Sequence, residues 1–165
     1  MEGDLTLTCS YIDNSVLFSM DHLTKEERSR NMAKIKSSNT KPELIVRSLL
    51  HRMGFRFRLN RMDLPGKPDL VLPKYKVALF VHGCFWHCHD NCKKAHLPAS
   101  NIEYWTAKLT RNKERDAKNQ VLLEALGWKV IIIWECETRK KNTLQEILEL
   151  RILSIRTNNA NSTKN

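Results

Sequence analysis

The spacing of hydrophobic and polar positions predicts two helices near the start of the chain, each opened by a capping box. The box at Thr24 precedes a basic helix that runs to about Lys36. The box at Thr40 precedes a helix that ends at Gly54. The apolar positions of this second helix recur every four residues, at Ile45, Leu49 and Met53.

Four stretches between turn residues predict β-strands. Residues 55–59 (FRFRL) alternate as in a half-buried strand. After the Pro/Gly turn of LPGKPDLVL, an apolar strand starts at Asp69 and is expected to form a hairpin with residues 76–82 (KVALFVH). Residues 128–135 (WKVIIIWE) are almost wholly apolar, which is typical of a strand covered on both faces.

Two more helices are predicted in the second half of the chain. Ser100 caps a long polar helix that ends at Leu126–Gly127, and Thr143 opens the last helix. The helical period of that last helix runs through Ile147, Leu150 and Ser154.

These elements predict one α/β domain, with helices flanking a central mixed β-sheet. A chain of 165 residues is long enough to bury a core without disulfides. We expect the domain to span residues 21–156, after an N-terminal extension at 1–20 and before a polar C-terminal tail at 157–165.

The formal net charge of +10 favours a polyanionic partner, and nucleic acid is the first candidate. A membrane surface is the alternative, but no apolar run has transmembrane length and the N-terminus lacks the pattern of a signal peptide. We therefore expect a cytoplasmic protein that does not bind membranes. Five cysteines, three of them within residues 84–92, indicate metal binding rather than a secreted disulfide framework.

The segment VHGCFWHCHDNC (81–92) concentrates side chains that bind zinc as thiolate or imidazole. The spacing alone does not select four ligands, and a few reduced thiols beside surface histidines would be the alternative without a metal. The candidate ligands are Cys84, Cys88, Cys92, His82, His87, His89 and His96, with Cys136 as a distant addition.

Asp69 is the candidate for a second kind of metal site. It follows Pro68 at the start of a predicted strand, and nucleases that use magnesium hold the cation with hard carboxylate oxygens at the mouth of a sheet. The alternative is an ordinary turn residue, which is a common role for Asp after Pro.

Five motifs in this order closely resemble those of the very short patch repair (Vsr) DNA mismatch endonucleases, from about Thr24 to Cys136. The motifs are RSRNMAKIKSSNTKPE, LPGKPDLVL, ALFVHGCFWH, NKERD and LGWKVIIIWEC. The resemblance implies a three-layer fold similar to that of type II restriction endonucleases. It also implies a magnesium-dependent enzyme with a structural zinc, which nicks duplex DNA on the 5′ side of the T in a T:G mismatch.

The resemblance further implies roles for individual residues in catalysis. Asp69 would be the main magnesium ligand and His87 the general base, with Asp116 orienting the imidazole. Val81 would be a further magnesium contact if that contact is made through the main-chain carbonyl. Some relatives carry Thr at this position, and a site that needs the hydroxyl would not be complete with Val. Two further catalytic residues are implied: Glu43 as an acidic group near the metal, and His82 as a contact to the phosphate or to a metal-associated water.

The zinc ligands implied by the resemblance are Cys84, His89, Cys92 and Cys136. This set leaves Cys88 and His96 as spectators. The stretch between the His and Cys ligands is one residue longer than in the shortest family version, so Cys88 remains an alternative to Cys92.

The resemblance implies a DNA interface with an aromatic wedge. Phe85 and Trp86 would enter the base stack from the major groove and Met32 from the other side. Apolar side chains unstack bases most easily at a mismatch, whereas the alternative places all three residues in ordinary packing. Basic residues would hold phosphates without reading sequence: Arg28, Arg30, Lys34, Lys36 and Lys41.

Two other functional classes fit part of the sequence. A zinc-stabilised DNA-binding module would not need Asp69, His87 and Asp116 together, and a restriction-type nuclease acting on matched duplex would not need the aromatic wedge. The partner implied by the resemblance is double-stranded DNA with a T:G mismatch. Such mismatches arise when 5-methylcytosine deaminates, so we expect a functional association with a cytosine-5 methyltransferase. We also expect a monomer, because a nick in one strand needs one active site.

Overall fold

The computed structural model describes residues 24, 26–27, 30, 33–34, 36, 38–98 and 100–161, of which 155–161 are described by their backbone alone. Four strands form one mixed sheet in the order β1, β2, β3, β4: Arg58–Leu59, Leu70–Leu72, Val77–His82 and Lys129–Trp134. The first two pairings are antiparallel and β3 pairs with β4 in parallel. The predicted hairpin is confirmed as β2–β3, joined by a 3₁₀ turn over Pro73–Tyr75.

Three helices cover the two faces of this sheet: α1 (Lys41–Arg52), α2 (Ile102–Ala125) and α3 (Lys141–Asn161). Helices α1 and α3 pack on one face, where Leu50 and Leu148 join Leu72, Leu79 and Ile133 in the larger core. Helix α2 covers the opposite face, where a second core forms around Leu64, Val71, Ala78 and Leu123. The prediction of a mixed sheet flanked by helices is confirmed, since successive strand residues point to opposite faces and both faces are covered.

Both predicted capping boxes are present. The Thr40 side chain accepts a hydrogen bond from the N–H of Glu43, and the Glu43 carboxylate accepts one from the N–H of Thr40. Thr24 and Glu27 exchange the same pair of bonds. Helical backbone follows Thr24 at Glu26, Glu27, Arg30 and Ala33 among the residues described there.

Several predicted boundaries differ from the structure. The strand predicted over 55–59 pairs only at Arg58–Leu59. The long helix begins at Ile102 without a side-chain cap, because Asn101 adopts a left-handed backbone (φ 54°). The last helix begins at Lys141, two residues before Thr143, and its backbone continues to Asn161, past residue 156.

The predicted inner face of the last helix is wrong. The residues buried against the sheet are Leu144, Leu148 and Ile152, whereas Leu150 is 73% exposed. Ile147 lies at the margin of the core, and Ser154 is exposed. The prediction of a last strand covered on both faces is also wrong in part. In β4 only Ile131 and Ile133 are fully buried, because β4 is the last strand of the described sheet and pairs with β3 alone.

The parallel pairing of β3 and β4 positions the candidate site. The register aligns His82 with Trp134, so both strands end side by side at one edge of the sheet. The loop GCFWHCHDNC (83–92) follows β3 there, and a 3₁₀ turn over Glu135–Arg139, which contains Cys136, follows β4. No helix in the described part of the chain is long and apolar enough to cross a bilayer.

Candidate active site and metal centre

Among the described residues, two clusters of side chains that could hold a metal ion lie at the shared end of β3 and β4. In each cluster the candidate ligand atoms lie within 4.8 Å of one another. The first contains His82, His87 and Asp116. The second contains Cys84, His89, Cys92 and Cys136.

Asp69 lies one residue before β2 and reaches across the hairpin toward β3. Its Oδ2 accepts a hydrogen bond from the N–H of Val81 at 2.7 Å. Burial raises the pKa of Asp69 to about 6, against the effect of the Val81 N–H, and the negative charge of Glu43 adds to the increase. The backbone of Val81 is thus adjacent to the carboxylate, where the resemblance implied a shared contact with magnesium.

His87 and Asp116 form a hydrogen-bonded pair between the loop and the middle of α2. The Asp116 carboxylate bonds Nδ1 of His87. Burial alone would raise the pKa of Asp116, but the hydrogen bond and the charge of His87 outweigh it, so the pKa lies below the usual value. An ionised Asp116 requires the proton on Nδ1 of His87, which leaves Nε2 of a neutral ring as an acceptor.

His82 packs against one face of the His87 ring. The two imidazoles stack in parallel, with ring centroids 3.7 Å apart and an interplanar angle of 10°. Burial and, secondarily, the charge of His87 lower the pKa of His82 to about 4. His82 is therefore neutral at physiological pH, and its flat face limits the orientations available to His87.

Glu43 has the structural role of a helix cap and also affects the charge at Asp69. Its Oε1 accepts bonds from the N–H and hydroxyl of Thr40, and its Oε2 accepts bonds from the N–H of Asn39 and from Arg47 at 2.8 Å. Both carboxylate oxygens of Glu43 thus accept hydrogen bonds from the protein, and the residue is only 3% exposed. Glu43 therefore acts on Asp69 through its charge, while Arg47 opposes that effect.

The residues around Asp69 fit a divalent cation. Among the described residues, the only hydrogen bond to its carboxylate is the one from Val81, which leaves oxygen lone pairs available. A buried carboxylate with a raised pKa gains from a nearby cation, and hard oxygen ligands suit magnesium. Asp69, Val81, His82, His87 and Asp116 all line one open cavity of about 1170 Å³.

The four residues of the second cluster fit a tetrahedral metal with nitrogen and sulfur ligands. Nδ1 of His89 lies 3.4 Å from Sγ of Cys136, and the His89 ring stacks on Trp134 at 4.1 Å between centroids. Burial raises the pKa of the Cys84 thiol to about 12 and also raises that of Cys136. A metal ion would supply the positive charge that buried thiolates require.

Cys88 and His96 lie outside this set of four. Cys88 is buried in the same loop, with a left-handed backbone at φ 49°, and its thiol is not within the cluster that Cys92 completes. His96 is exposed.

Phe85 and Trp86 are half-buried and belong to a larger aromatic group. Their rings meet edge to face, with centroids 5.0 Å apart, and both contact Trp105 of α2 at 5.3 and 6.0 Å. Tyr104 packs against Trp105. Lys108 lies over the rings of Trp86, Tyr104 and Trp105 at 5.3–5.5 Å.

The sequence interpretation missed Trp105, Tyr104 and Lys108. A signal was available, because residues 104, 105 and 108 recur at helical spacing on an otherwise polar helix. That spacing does not predict that Trp105 packs against Phe85 and Trp86, which are about 20 positions away in the sequence.

The predicted phosphate-binding residues are described only in part. Arg30, Lys34, Lys36 and Lys41 are exposed, and Lys36 lines the same cavity as Asp69. Arg28 and Met32 lie outside the described residues.

Comparison with known proteins places this site in a family. The model of the family described as DNA mismatch endonuclease Vsr matches residues 20–94. The chain is 48% identical over 136 residues to the Type II nicking enzyme V.NmeAIP of Neisseria meningitidis serogroup A, covering 82% of this chain and 96% of that enzyme. It is 41% identical over 122 residues to the DNA mismatch endonuclease Vsr of Escherichia coli strain K12, covering 74% and 78%. The chain belongs to the Vsr family of DNA mismatch endonucleases.

A further Vsr-family relative is the Type II nicking enzyme V.XorIIP of Xanthomonas oryzae pv. oryzae. It is 47% identical over 125 residues, covering 76% of this chain and 91% of that enzyme. The family resemblance inferred from the motifs is confirmed, and with it the prediction of an endonuclease that acts on DNA.

Proposed function

We propose that this Vsr-family endonuclease nicks one strand of duplex DNA on the 5′ side of the T in a T:G mismatch. The observation that carries the proposal is the shared cavity, which joins Asp69, His87 and Asp116 beside the aromatic group of Phe85 and Trp86. Hydrolytic groups beside a packed aromatic surface suit an enzyme that unstacks the duplex it cleaves, because apolar side chains inserted between bases unstack and kink DNA. The helix–sheet–helix layering is consistent with a restriction-endonuclease-like fold.

In this proposal His87 activates the water that attacks the phosphorus, one P–O ester bond of the backbone breaks, and the departing sugar oxygen takes up a proton from solvent. Nε2 of the neutral ring accepts the proton, and the ionised Asp116 stabilises the imidazolium that results. His82 stacks on the ring and keeps it oriented for this transfer, and its N–H would donate a hydrogen bond to a phosphate oxygen. Asp69, with the main-chain carbonyl of Val81, would hold magnesium, which when bound supplies positive charge to the phosphate in the transition state.

The second cluster would hold a structural zinc through Cys84, His89, Cys92 and Cys136. These four residues join the loop after β3 to the turn after β4. A metal crosslink at this point would fix His87 and Phe85, which lie between ligands in the loop, in one arrangement.

Mismatch preference would come from the energy of unstacking. Inserting Phe85 and Trp86 costs a few kcal/mol per base step, and the cost is smallest where pairing is already imperfect. Trp105 and Lys108 support this pair from α2, which limits the conformational entropy lost on insertion. In this scheme Met32 would enter from the minor groove, and Arg28, Arg30, Lys34 and Lys36 would contact phosphates.

The proposal also includes partners in the cell. A T:G mismatch that arises from 5-methylcytosine implies a functional association with a cytosine-5 methyltransferase in the cytoplasm. One active site per chain suffices for one nick, so the enzyme would act as a monomer.

The test compares three duplexes with magnesium: fully matched, T:G-mismatched, and T:G-mismatched with varied flanking bases. The proposal predicts one nick 5′ to the mismatched T, and none in the matched duplex. Cutting of the matched duplex would instead support a restriction-type nuclease, and binding without cutting would support a DNA-binding module. An Asp69→Asn variant should bind the mismatched duplex but lose nicking, since the amide carries no charge for the cation.

A further inference from the structure

The turn before Asp69 has an unusual backbone. The N–H of Lys67 donates to the carbonyl of Leu64 at 3.1 Å, closing a turn with Pro65 and Gly66 at its centre. Gly66 has φ of 72°, which suits the third position of a type II turn. Lys67 continues the left-handed conformation with φ of 51° although it has a side chain.

This conformation is unfavourable for Lys67 for two reasons. A non-glycine residue with positive φ costs about 1–2 kcal/mol, and the following Pro68 disfavours helical backbone in the residue before it. Strained backbone of this kind clusters at active sites and ligand-binding segments. Lys76 has the same conformation away from the cavity, so it is the position of Lys67 in the cavity lining that points to a role for its side chain.

Packing against α2 holds the turn in place. Leu64 shares the smaller core with Leu123. A Cβ on Gly66 would approach the side chain of Asn119 to within 3.0–3.1 Å, so a side chain there would require Asn119 to shift by a few tenths of an ångström. From Leu64 to Gly66 the turn therefore packs along α2, next to Leu123 and then Asn119. The next residue, Lys67, lines the cavity that also contains Asp69 and His87.

The charge of Lys67 is available for a ligand. Two other basic residues of the cavity lie near carboxylates: Lys113 is 3.9 Å from Asp90, and Arg115 is 3.8 Å from Asp116. Lys67 is exposed and has no acidic partner within 4 Å among the described residues. Within the described part of the chain, its ammonium group therefore has no ion-pair partner, and it lies two residues from the carboxylate proposed to be catalytic.

We propose that Lys67 is a phosphate-binding residue of the active cavity, held by the left-handed turn so that it contacts a backbone phosphate of the strand to be cut. The inference rests on the proposed function for its substrate, duplex DNA. A point charge on a flexible stem binds phosphate without reading bases. Lys67 would thereby hold the strand against Asp69 and His87.

The chain provides a matched control. Lys76 has the same left-handed backbone (φ 53°) and is also exposed. It precedes the first residue of β3, at the opposite end of that strand from His82, and is not among the residues lining the active cavity. Comparing Gly and Met variants at positions 67 and 76 therefore shows whether losing any exposed lysine weakens DNA binding, or only losing the lysine that lines the cavity.

Binding to a T:G duplex would be measured in calcium over a series of salt concentrations. For Lys67→Met and Lys67→Gly we expect roughly tenfold weaker affinity and a slope of log K against log salt that is smaller by about 0.9. Lys67→Arg should retain the slope, and both Lys76 variants should match the wild type. Because glycine relieves the left-handed strain, Lys67→Gly and Lys76→Gly should melt about 2–4 °C higher, so that weaker binding cannot result from unfolding.

An unchanged affinity and salt slope in both Lys67→Met and Lys67→Gly would overturn the inference. So would an equal loss in the Lys76 variants. This binding result is independent of cleavage. A wild-type protein that failed to nick the T:G duplex would contradict the proposed function, while the salt slopes would still decide the role of Lys67.

Discussion

Asp116 and His87 are 29 positions apart in the sequence, and the carboxylate of Asp116 hydrogen-bonds Nδ1 of the His87 ring. The bond joins the middle of α2 to the loop after β3. Because the pKa of Asp116 is lowered, the carboxylate is ionised at neutral pH and stabilises the tautomer with a proton on Nδ1. The base function proposed for His87 thus depends on a residue that does not itself receive the proton.

The first prediction concerns this bond. In Asp116→Asn the amide N–H can donate a hydrogen bond to Nδ1 and favour the opposite tautomer, with the ring proton on Nε2, so that Nε2 would no longer accept a proton from water. We expect nicking in a single turnover to fall by about 10²–10⁴-fold, the usual contribution of general base catalysis. Binding of the T:G duplex, measured in calcium, should change little.

Asp63→Asn is the control for the loss of one carboxylate. Asp63 is exposed, pairs with Arg61, and is not among the residues lining the cavity. Full activity of Asp116→Asn, together with an unchanged pH profile, would contradict the role assigned to the pair.

The motifs predicted which residues lie together in the candidate site, but they did not predict how those residues contact one another. Asp69, His87 and Asp116 occur in short specific motifs, and the structure brings all three to one cavity. The stacking of His82 on His87 was not predictable, because it depends on the register of β3 and on the path of the loop. Trp105 was missed for the same reason: its contacts join α2 to a loop with no secondary structure of its own.

The second prediction concerns the pH dependence of magnesium binding. The pKa of Asp69 is raised to about 6 by burial. A proton therefore competes with the cation below pH 6, whereas above pH 6 the carboxylate is ionised and affinity levels off. We expect magnesium to bind about tenfold more weakly at pH 5 than at pH 7.

Titration calorimetry in buffers of different ionisation enthalpy would measure both the affinity and the protons released. Near pH 5 magnesium binding should release close to one proton, and near pH 7.5 almost none. Equal affinity at pH 5 and pH 7 would show that Asp69 does not limit binding. Asp69→Asn should abolish the pH-dependent component.

The third prediction distinguishes Cys92 from Cys88 as a zinc ligand. Cys92 lies within 4.8 Å of the other three ligand atoms, whereas Cys88 does not belong to that set. We expect one zinc per chain in the wild type and in Cys88→Ala. Cys92→Ala should lose most of the zinc and unfold at a lower temperature, because metal-binding energy contributes to folding.

Elemental analysis after gel filtration, combined with thermal unfolding, would test this. Replacing zinc by cobalt gives a second readout, since the visible spectrum reports the number of thiolates bound. Loss of zinc in Cys88→Ala with retention in Cys92→Ala would exchange the two assignments. The extra residue between His89 and Cys92 is the reason that the sequence alone left this choice open.

The fold was predictable where local chemistry is strong. Capping boxes at Thr24 and Thr40 and the glycine after Leu126 located helix ends to within a residue or two. Predictions failed where tertiary packing decides. Leucine and isoleucine occur on several sides of α3, so the period alone did not reveal which side meets the sheet, and Leu148 rather than Leu150 faces the core.

The fourth prediction follows from that face of α3. Leu148 is fully buried in the larger core, beside Leu144 and Ile152, whereas Leu150 is 73% exposed on the same helix. Leu148→Ala should lower the free energy of unfolding by about 2–5 kcal/mol, because it removes apolar contacts and leaves a cavity. Leu150→Ala should change it by no more than about 0.5 kcal/mol, since its side chain is already in water and alanine suits a helix. Urea unfolding of the two variants would measure the difference, and a larger loss in Leu150→Ala would require α3 to be rotated relative to the sheet.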